Sequence, residues 1–224
     1  MHIVIFAGGT VQAGQAITRA IASAQKIVTA DSGTETALRY GCAPDLIVGD
    51  LDSLAPERIQ QLRNQGKKFK EALVEKNETD TELAIQSAIE LGATSITLLG
   101  ALGGARFDHT FANFMLLAGY PEFPITIVDG PSSCWLLKGP GQTNVSGKPE
   151  DLVSLLPLTA EVTGIKTHDL YYPLNQETLY FGKPRGVSNQ LTHTNAEITI
   201  QSGMLLIIHT DTHELNELMA KTDS

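Results

Sequence analysis

The chain of 224 residues is long enough to bury a hydrophobic core, and it fits one large domain or two small ones. Its content of 42% hydrophobic and 18% charged residues is an ordinary globular balance, which excludes an intrinsically disordered chain. The formal net charge of −9 argues against non-specific nucleic-acid binding, because such binding depends on basic contacts to phosphate.

The amino-terminal residues and the two cysteines indicate a compartment. The apolar run Met1–Phe6 lacks the basic start of a signal peptide and is too short to span a membrane. Cys42 and Cys134 lie far apart without metal-ligand spacing, and we expect two buried thiols in a reducing environment. We therefore expect a cytoplasmic protein with neither a membrane nor a nucleic-acid partner.

The first half of the chain alternates short apolar runs with helical patterns, which is typical of a parallel sheet built from βαβ units. The runs are too short for helices, and several are rich in β-branched residues. They predict strands at Ile3–Ala7, Lys26–Ala30, Leu46–Val48, Ala72–Val74 and Ile96–Leu99.

Two helices are indicated between these strands by their terminal residues. In the first, Pro56 fits an initial helical turn and Gly66 can cap the end. In the second, Thr79 and Glu82 have the spacing of a capping box, and the apolar side chains that follow share one face.

From about Phe123 the helical periodicity largely disappears, and Pro, Gly, Asn and Thr separate short strand-like segments. Ala196–Ile200 alternates apolar and polar residues, Met204–Ile208 is a second apolar run, and Glu214–Ala220 predicts at most a short terminal helix. We therefore expect an α/β fold with an N-terminal parallel-sheet domain over residues 1–122. A C-terminal antiparallel β-sandwich domain follows over residues 123–224.

Aspartates recur where the predicted strands end or where the next helix begins. They are Asp31, Asp50, Asp52, Asp80 and Asp108. One such aspartate is an ordinary cap or turn residue, but ligands bind at the carboxyl ends of parallel strands. Five carboxylates at one rim repel each other unless a cation lies among them, and oxygen ligands suit Mg²⁺ bridged to phosphates. The pattern predicts a metal–nucleotide site.

A glycine-rich turn, Gly100–Ala105, precedes another predicted helix. Its glycines allow backbone N–H groups to approach an anion, and Arg106 can grip a phosphate with two hydrogen bonds. No Walker A sequence occurs in the chain. On a helical wheel Arg106, His109 and Asn113 share a face that is available for a ligand. A second face is expected in the core, with Phe107, Phe111, Phe114 and Ala118, and Asp108 is expected near the N-cap.

Seven motifs together resemble the thiamine pyrophosphokinase family. They are Ala30–Gly33, Pro44–Ser53, Thr79-Asp80, Gly103–His109 with Asn113, Gly164–Lys166, Tyr171–Asn175 and Gly186–Asn189. The resemblance implies transfer of a pyrophosphoryl group from ATP to the hydroxyethyl oxygen of thiamine, giving thiamine diphosphate and AMP with Mg²⁺. It also implies a homodimer with active sites at the subunit interface, where the β domain of one chain meets the α/β domain of the other.

The resemblance further implies roles for single residues. Asp50, Asp52 and Asp80 would hold Mg²⁺ and the triphosphate, and Arg106 and Asp108 complete the catalytic set. The nucleotide would be bound by Asp31, Ser32, Gly49, Thr79, Gly103, Gly104, Arg106, His109 and Asn113. Ser188 and Asn189 would hold the pyrimidine side of thiamine, and Tyr172 would pack on its rings.

Several alternatives stay open at this level. Asp80 and Asp108 are both candidates to accept the proton of the alcohol. Ser32 and Glu35 depart from the glycine and asparagine that many family members have, and they bear on the local nucleotide contacts. The alternative functions are a diphosphokinase for another heterocyclic alcohol, such as a hydroxymethylpterin, and a non-catalytic protein that binds thiamine nucleotides. In a third interpretation, the aspartates serve only as helix caps.

Overall fold

The computed structural model describes residues 1–73 and 75–222. The chain divides into two compact units. The first unit contains Met1–Leu116 and Phe123–Asp129, and the second contains Leu117–Glu122 and the chain from Gly130 onward. The observed division thus follows Asp129, seven residues beyond the predicted domain boundary.

The first unit is built on six parallel strands. They are β1 (His2–Phe6), β2 (Lys26–Ala30), β3 (Leu46–Gly49), β4 (Lys68–Glu71), β5 (Ser95–Leu99) and β6 (Ile125–Asp129). Their order in the sheet is β6-β5-β1-β2-β3-β4, and each neighbouring pair is parallel. The helices are α1 (Gln15–Ser23), α2 (Gly33–Arg39), α3 (Pro56–Asn64), α4 (Asp80–Glu90) and α5 (Phe107–Gly119). The parallel α/β architecture is therefore confirmed.

Strand β4 does not lie where the sequence pattern predicts it. The predicted strand Ala72–Val74 is wrong, because the strand covers Lys68–Glu71 and Ala72 already follows it. Val74 lies outside the described residues. β4 is the edge strand of its sheet and is mostly exposed, with only Phe69 half-buried. Its charged side chains are typical of an exposed edge strand, and for that reason the segment lacks the apolar run by which strands are recognised in a sequence.

The two predicted helix starts are confirmed. Pro56 is the first residue of α3, and the hydroxyl oxygen Oγ1 of Thr79 accepts a hydrogen bond from the backbone N–H of Glu82 at 3.1 Å. This bond satisfies one of the N–H groups that the first turn of a helix leaves without a partner. It also fixes the backbone at the first residue of α4, which is Asp80.

The predicted core face of α5 is wrong. Phe107 is 78% exposed and Phe111 is 57% exposed, whereas Asn113 and Leu117 are buried. Asn113 is buried because its side-chain Nδ2 donates a hydrogen bond of 2.7 Å to the carbonyl oxygen of Ala101. Such a bond offsets the cost of burying a polar group, so the Asn113 side chain can face the interior.

The second unit contains two antiparallel sheets and a terminal helix. The strands are β7 (Ser132–Lys138), β8 (Gly141–Ser146), β9 (Leu152–Pro157), β10 (Glu161–His168), β11 (Asn175–Tyr180), β12 (Asn189–Gln190), β13 (Asn195–Ile200) and β14 (Met204–Thr210). In one sheet, the strands are hydrogen-bonded neighbours in the order β12-β9-β14-β7; the other is a four-stranded sheet of order β11-β10-β13-β8. Buried side chains from both sheets form one core cluster, which confirms the predicted sandwich. Helix α6 covers Thr212–Thr222.

Two further observations concern burial. Cys42 and Cys134 are both buried and form no disulfide, as expected. None of the helices in the described residues combines the length and the apolar character that crossing a bilayer requires.

Candidate active site

Three carboxylates converge at the carboxyl ends of β2 and β3. Asp31 follows β2, and Asp50 and Asp52 follow β3, so that one oxygen of each lies within 4.8 Å of the others. We call these three residues the acidic triad. The backbone here is unusual, since φ is 47° at Asp31 and 64° at Leu51. Residues other than glycine rarely adopt such angles, and backbone strain of this kind is concentrated at functional sites.

The triad contains a buried oxygen without a partner. Oδ1 of Asp31 is buried, and no hydrogen-bond donor contacts it among the described residues. Burying a carboxylate oxygen without a partner is costly, whereas a cation would satisfy it. Three carboxylates with an unsatisfied oxygen fit the oxygen-ligand preference of Mg²⁺.

The electrostatics of the triad agree with this fit. The charge of Asp50, followed by that of Asp31, raises the pKa of Asp52 above its usual range. The backbone N–H of Asp52 donates a hydrogen bond of 3.2 Å to Oδ1 of Asp50, which holds the Asp50 side chain against the backbone of Asp52. Repulsion from the neighbouring carboxylates therefore disfavours the ionised form of Asp52 when no cation is present.

Asp80, which the sequence suggested as a third metal ligand, lies beside the triad rather than in it. A Cβ on Gly49 would lie 3.2 Å from Oδ1 of Asp80 and 3.2 Å from Cβ of Asp31. Gly49 also has φ of 137°, so a larger residue would be strained and would displace both aspartates. Oδ1 of Asp80 accepts a hydrogen bond of 2.6 Å from Nζ of Lys76.

A cleft of about 250 Å³ adjoins these residues within the first unit. Its lining includes Asp80 and every predicted nucleotide-binding residue except Gly49, namely Asp31, Ser32, Thr79, Gly103, Gly104, Arg106, His109 and Asn113. Two loops meet at its glycine-rich wall, where the N–H of Gly9 donates to the carbonyl oxygen of Gly100 at 2.9 Å. A Cβ on Gly9 would lie 2.0 Å from the carbonyl oxygen of Gly103, so only glycine allows this approach.

Arg106 and Asp108 form an exposed pair at the start of α5. Nε of Arg106 donates to Oδ1 of Asp108 at 3.2 Å, and Nη2 donates to Oδ2 at 2.6 Å. These hydrogen bonds from Arg106 hold the pKa of Asp108 below its usual range. Asp108 is the second residue of α5, in its first turn. Arg106, His109 and Asn113 all line the cleft, although Asn113 also anchors the glycine-rich turn through Ala101.

Two of the three predicted substrate residues of the second unit, Tyr172 and Asn189, line a separate groove of about 460 Å³, and Ser188 does not. Its lining is mostly apolar and contains Leu155, Tyr172, Pro173, Leu174, Leu179, Arg185, Gly186, Val187 and Asn189. The Asn189 side chain binds the backbone of Tyr172 twice, since Oδ1 accepts from the N–H of Tyr172 and Nδ2 donates to its carbonyl oxygen. Asn189 therefore positions Tyr172, and Ser188 is an exposed neighbour with φ of 59°.

The sequence analysis missed one residue that contacts the site, Lys76, and one further strand-end aspartate, Asp129. Lys76 has no motif signal of its own, although its position four residues before Asp80 could have suggested an ion pair. Asp129 ends β6 and accepts a hydrogen bond of 3.1 Å from the N–H of Gln12. Burial raises its pKa. The apolar run Ile125–Val128 indicates that strand. Because the predicted boundary assigned this run to the second domain, Asp129 was not counted among the aspartates at the ends of the parallel strands.

Comparison with known proteins decides the family. The sequence profile of the thiamin pyrophosphokinase catalytic domain matches residues 17–128, and the profile of the vitamin B1 binding domain matches residues 142–205. The chain belongs to the thiamine pyrophosphokinase family. It is therefore an enzyme, a transferase of the kinase class, and the resemblance seen in the motifs is confirmed.

Individual members of the thiamine pyrophosphokinase family agree with this placement. Thiamine pyrophosphokinase of Bacillus subtilis (strain 168) is 27% identical over 182 residues, which cover 80% of this chain and 84% of that protein. The crystal structure of thiamin pyrophosphokinase from Geobacillus thermodenitrificans is 30% identical. It has a TM-score of 0.81 and covers 94% of this chain and 98% of that one. The crystal structure of yeast thiamin pyrophosphokinase is 16% identical and shows the shared fold. Its TM-score is 0.75, and the match covers 96% of this chain and 87% of that one.

Proposed function

We propose that this enzyme transfers the pyrophosphoryl group of ATP to the hydroxyethyl oxygen of thiamine in a Mg²⁺-dependent reaction, giving thiamine diphosphate and AMP. The observation that carries the proposal is the acidic triad, in which Asp31 has a buried oxygen without a partner and also lines the glycine-rich cleft. Family membership supplies the substrate class, and the triad supplies a reason for metal dependence. We also propose that the enzyme acts in the cytoplasm.

The metal would be held by Asp31, Asp50 and Asp52. When bound, Mg²⁺ supplies positive charge next to the phosphates of the nucleotide, which is its usual role in phosphoryl transfer. This assignment moves Asp31 into the set of metal ligands and leaves Asp80 beside it, because the structure brings the oxygens of the first three residues together.

The protein groups around the cleft would orient the phosphates and stabilise their charge. Backbone N–H groups in the glycine-rich turn can approach the phosphates, and Arg106 has three further N–H donors beyond the two that bind Asp108. The low pKa of Asp108 makes it a weak proton acceptor. Asp80, which lines the same cleft, is the other candidate to accept the proton of the thiamine hydroxyl group.

The groove of the second unit would bind the rings of thiamine. Tyr172 is exposed at its edge, and the Tyr171 ring meets it edge to face with centroids 4.8 Å apart. Asn189 holds the backbone of Tyr172 and Ser188 lies next to it, so the predicted substrate residues act together. We propose that the Tyr172 ring packs on thiamine.

Replacing Tyr172 by alanine should raise the KM for thiamine about tenfold, because the packing of an aromatic ring is lost. The KM for ATP should change less than about twofold, since the cleft is untouched. Steady-state kinetics with each substrate varied in turn would measure both values. The Tyr172→Phe variant keeps the ring and should resemble the wild type. A proportional rise in the KM for ATP would contradict the assignment.

We propose that the enzyme is a homodimer with active sites at the subunit interface. Phe107, Phe111 and Met115 follow one another at helical spacing on α5, and all three are more than half exposed. A contiguous exposed apolar stripe is typical of a protein–protein contact. A second copy of the chain is the partner that the family resemblance implies.

Replacing Phe111 by glutamate should shift the protein toward the monomer, because the charge would be desolvated in the proposed contact. Sedimentation equilibrium at several concentrations measures the mass, and the wild type should have about twice the mass of the chain. Gln60→Glu adds the same charge on exposed α3 and should leave the mass unchanged. A monomeric wild type would refute the proposal.

The proposed reaction is tested by incubating the purified protein with ATP, Mg²⁺ and thiamine and separating the products. AMP and thiamine diphosphate should form in equal amounts. Formation of ADP and thiamine monophosphate would refute pyrophosphoryl transfer. Turnover with a hydroxymethylpterin but not with thiamine would support the alternative diphosphokinase, and binding of thiamine nucleotides without turnover would support the non-catalytic alternative.

A further inference from the structure

The acidic triad is carried by two separate segments, and an ion pair joins the helices that follow them. Asp31 lies between β2 and α2, whereas Asp50 and Asp52 lie between β3 and α3. Glu35 is the third residue of α2, and Arg58 is the third residue of α3. The ion pair of Glu35 with Arg58 therefore links the two segments that bring the carboxylates together.

This pair has a forked geometry. Nε of Arg58 donates to Oε1 of Glu35 at 2.7 Å, and Nη2 donates to Oε2 at 3.3 Å. Nη1 donates to Oε1 of Gln61 at 2.6 Å, which holds the guanidinium group against its own helix. Two bonds between an arginine and one carboxylate fix the orientation as well as the distance, unlike an ordinary surface ion pair. We call this pair the Glu35–Arg58 fork.

An apolar contact joins the same two elements one turn further along α2. Leu38 of α2 packs against a cluster that contains Leu51 and Leu54. Both of these leucines belong to the short loop between β3 and α3, in which Leu51 has φ of 64°. Because this strained loop also carries two carboxylates of the triad, the placement of α3 against α2 affects where those carboxylates lie.

The charges of the triad act against this arrangement. Asp50 and Asp31 raise the pKa of Asp52, since like charges that lie close together repel each other. The repulsion between Asp31 and the other two carboxylates acts between the two segments and tends to separate them. The Glu35–Arg58 fork attracts the helices of the same two segments, so it opposes that separation.

We propose that Glu35 and Arg58 are positioning residues for the metal site, whose ion pair holds the two segments of the acidic triad at the spacing that a cation requires. The inference rests on the proposed function. Neither side chain lines the cleft, so the pair acts through the carboxylates and not on the substrate. Ligands that are already gathered bind a cation more tightly, because less ordering and repulsion must be overcome on binding. This role also gives a reason for Glu35, which departs from the asparagine of many family members.

The test compares Mn²⁺ binding to the nucleotide-free wild type, Glu35→Gln and Arg58→Gln, measured by titration with electron paramagnetic resonance. Both variants should bind Mn²⁺ about three to five times more weakly, because either change breaks the fork. Long-range electrostatics alone predicts opposite signs, since Arg58→Gln removes a positive charge and would then strengthen binding. The double variant should bind no more weakly than the weaker single variant, because the two residues act as one unit.

The assay gives a second readout of the same effect. The Mg²⁺ concentration that gives the half-maximal rate should rise by the same factor in both variants. The KM for thiamine should stay unchanged, because the groove of the second unit is untouched.

An ion pair on the same helix provides the control. Nη2 of Arg63 on α3 lies 2.5 Å from Oε1 of Glu71 on β4, so this pair does not link the two segments of the triad. Arg63→Gln should leave the Mn²⁺ affinity within about twofold of the wild type. Arg58→Lys keeps a charge that can meet Glu35 and should recover part of the lost affinity. If one glutamine variant does not fold, as judged by near-ultraviolet circular dichroism, the other carries the comparison.

Tighter binding in Arg58→Gln, or unchanged affinity in the folded glutamine variants, would overturn the inference. An equal loss in Arg63→Gln would also overturn it, because the effect would then come from general charge. A wild type that forms thiamine diphosphate without binding Mn²⁺ in the absence of nucleotide would show that the triad is not preformed, and the role of the fork would fall alone. A wild type that does neither would refute the proposed function, and this inference with it.

Discussion

Replacing Asp52 by asparagine should make the metal-free protein more stable and the enzyme at least about a hundredfold slower. The two effects have one cause. The charges of Asp50 and Asp31 raise the pKa of Asp52, so the ionised side chain is disfavoured in the folded protein. Asparagine removes that repulsion, but it also removes a ligand oxygen with a negative charge from the proposed metal site.

The pH dependence of this difference has a definite sign. Because the pKa of Asp52 is higher in the folded than in the unfolded chain, its protonated form favours folding. The resulting stability is fully present below the ordinary value of 3.8 and is lost as the pH rises through the higher folded value. The melting temperature of the variant should therefore exceed that of the wild type at neutral pH, and the gap should shrink on acidification.

Differential scanning fluorimetry with and without Mg²⁺ checks both parts of this prediction. Mg²⁺ should raise the melting temperature of the wild type and have much less effect on the variant, because ligand binding to the folded state adds stability. Glu57→Gln removes an exposed negative charge from α3 and serves as the control. Equal Mg²⁺ effects on wild type and Asp52→Asn would show that Asp52 does not hold the metal.

The strand-end aspartates could be predicted because they depend on chain order alone. Once Lys26–Ala30 and Leu46–Val48 are taken as parallel strands, the residues that follow must meet at one rim. Which oxygens converge could not be predicted in this way. Asp31 joins Asp50 and Asp52 because its backbone adopts φ of 47°, and spacing in the sequence carries no information about that angle.

The errors in the fold have a related origin. The pattern of polar and apolar residues distinguishes the faces of a helix or strand, but it does not show which face packs against the rest of the protein. Phe111 was expected in the core, yet Asn113 took that place because the carbonyl oxygen of Ala101 accepts its hydrogen bond. Lys68–Glu71 was missed because an edge strand needs few apolar residues. Long-range partners thus decided both cases.

Replacing Arg106 by lysine should lower kcat/KM for ATP about a hundredfold, and Arg106→Met should lower it further. Two of the five N–H donors of Arg106 bind Asp108, and we expect the others to bind the phosphates. Lysine keeps the charge, but its single ammonium group cannot bind both the carboxylate and a phosphate with the same geometry. The loss should therefore exceed what a conserved charge would suggest.

Steady-state kinetics with ATP varied provide the measurement, and Arg63 provides the control. Its Nη2 lies 2.5 Å from Oε1 of Glu71, so it forms an exposed pair like that of Arg106 but on β4 and α3. Arg63→Lys should leave kcat/KM within about twofold of the wild type. A similar drop in both lysine variants would mean that the effect comes from general electrostatics rather than from contact with the phosphates.

A double-mutant cycle with Asp108 then distinguishes its two possible roles. If Asp108 acts only by orienting Arg106, Asp108→Asn should lower kcat/KM about tenfold in the wild type and hardly at all in Arg106→Met. If Asp108 accepts the substrate proton itself, the two losses should multiply. The hydrogen bonds from Arg106 that lower the pKa of Asp108 favour the first outcome. That outcome would leave Asp80, held by Lys76, as the proton acceptor.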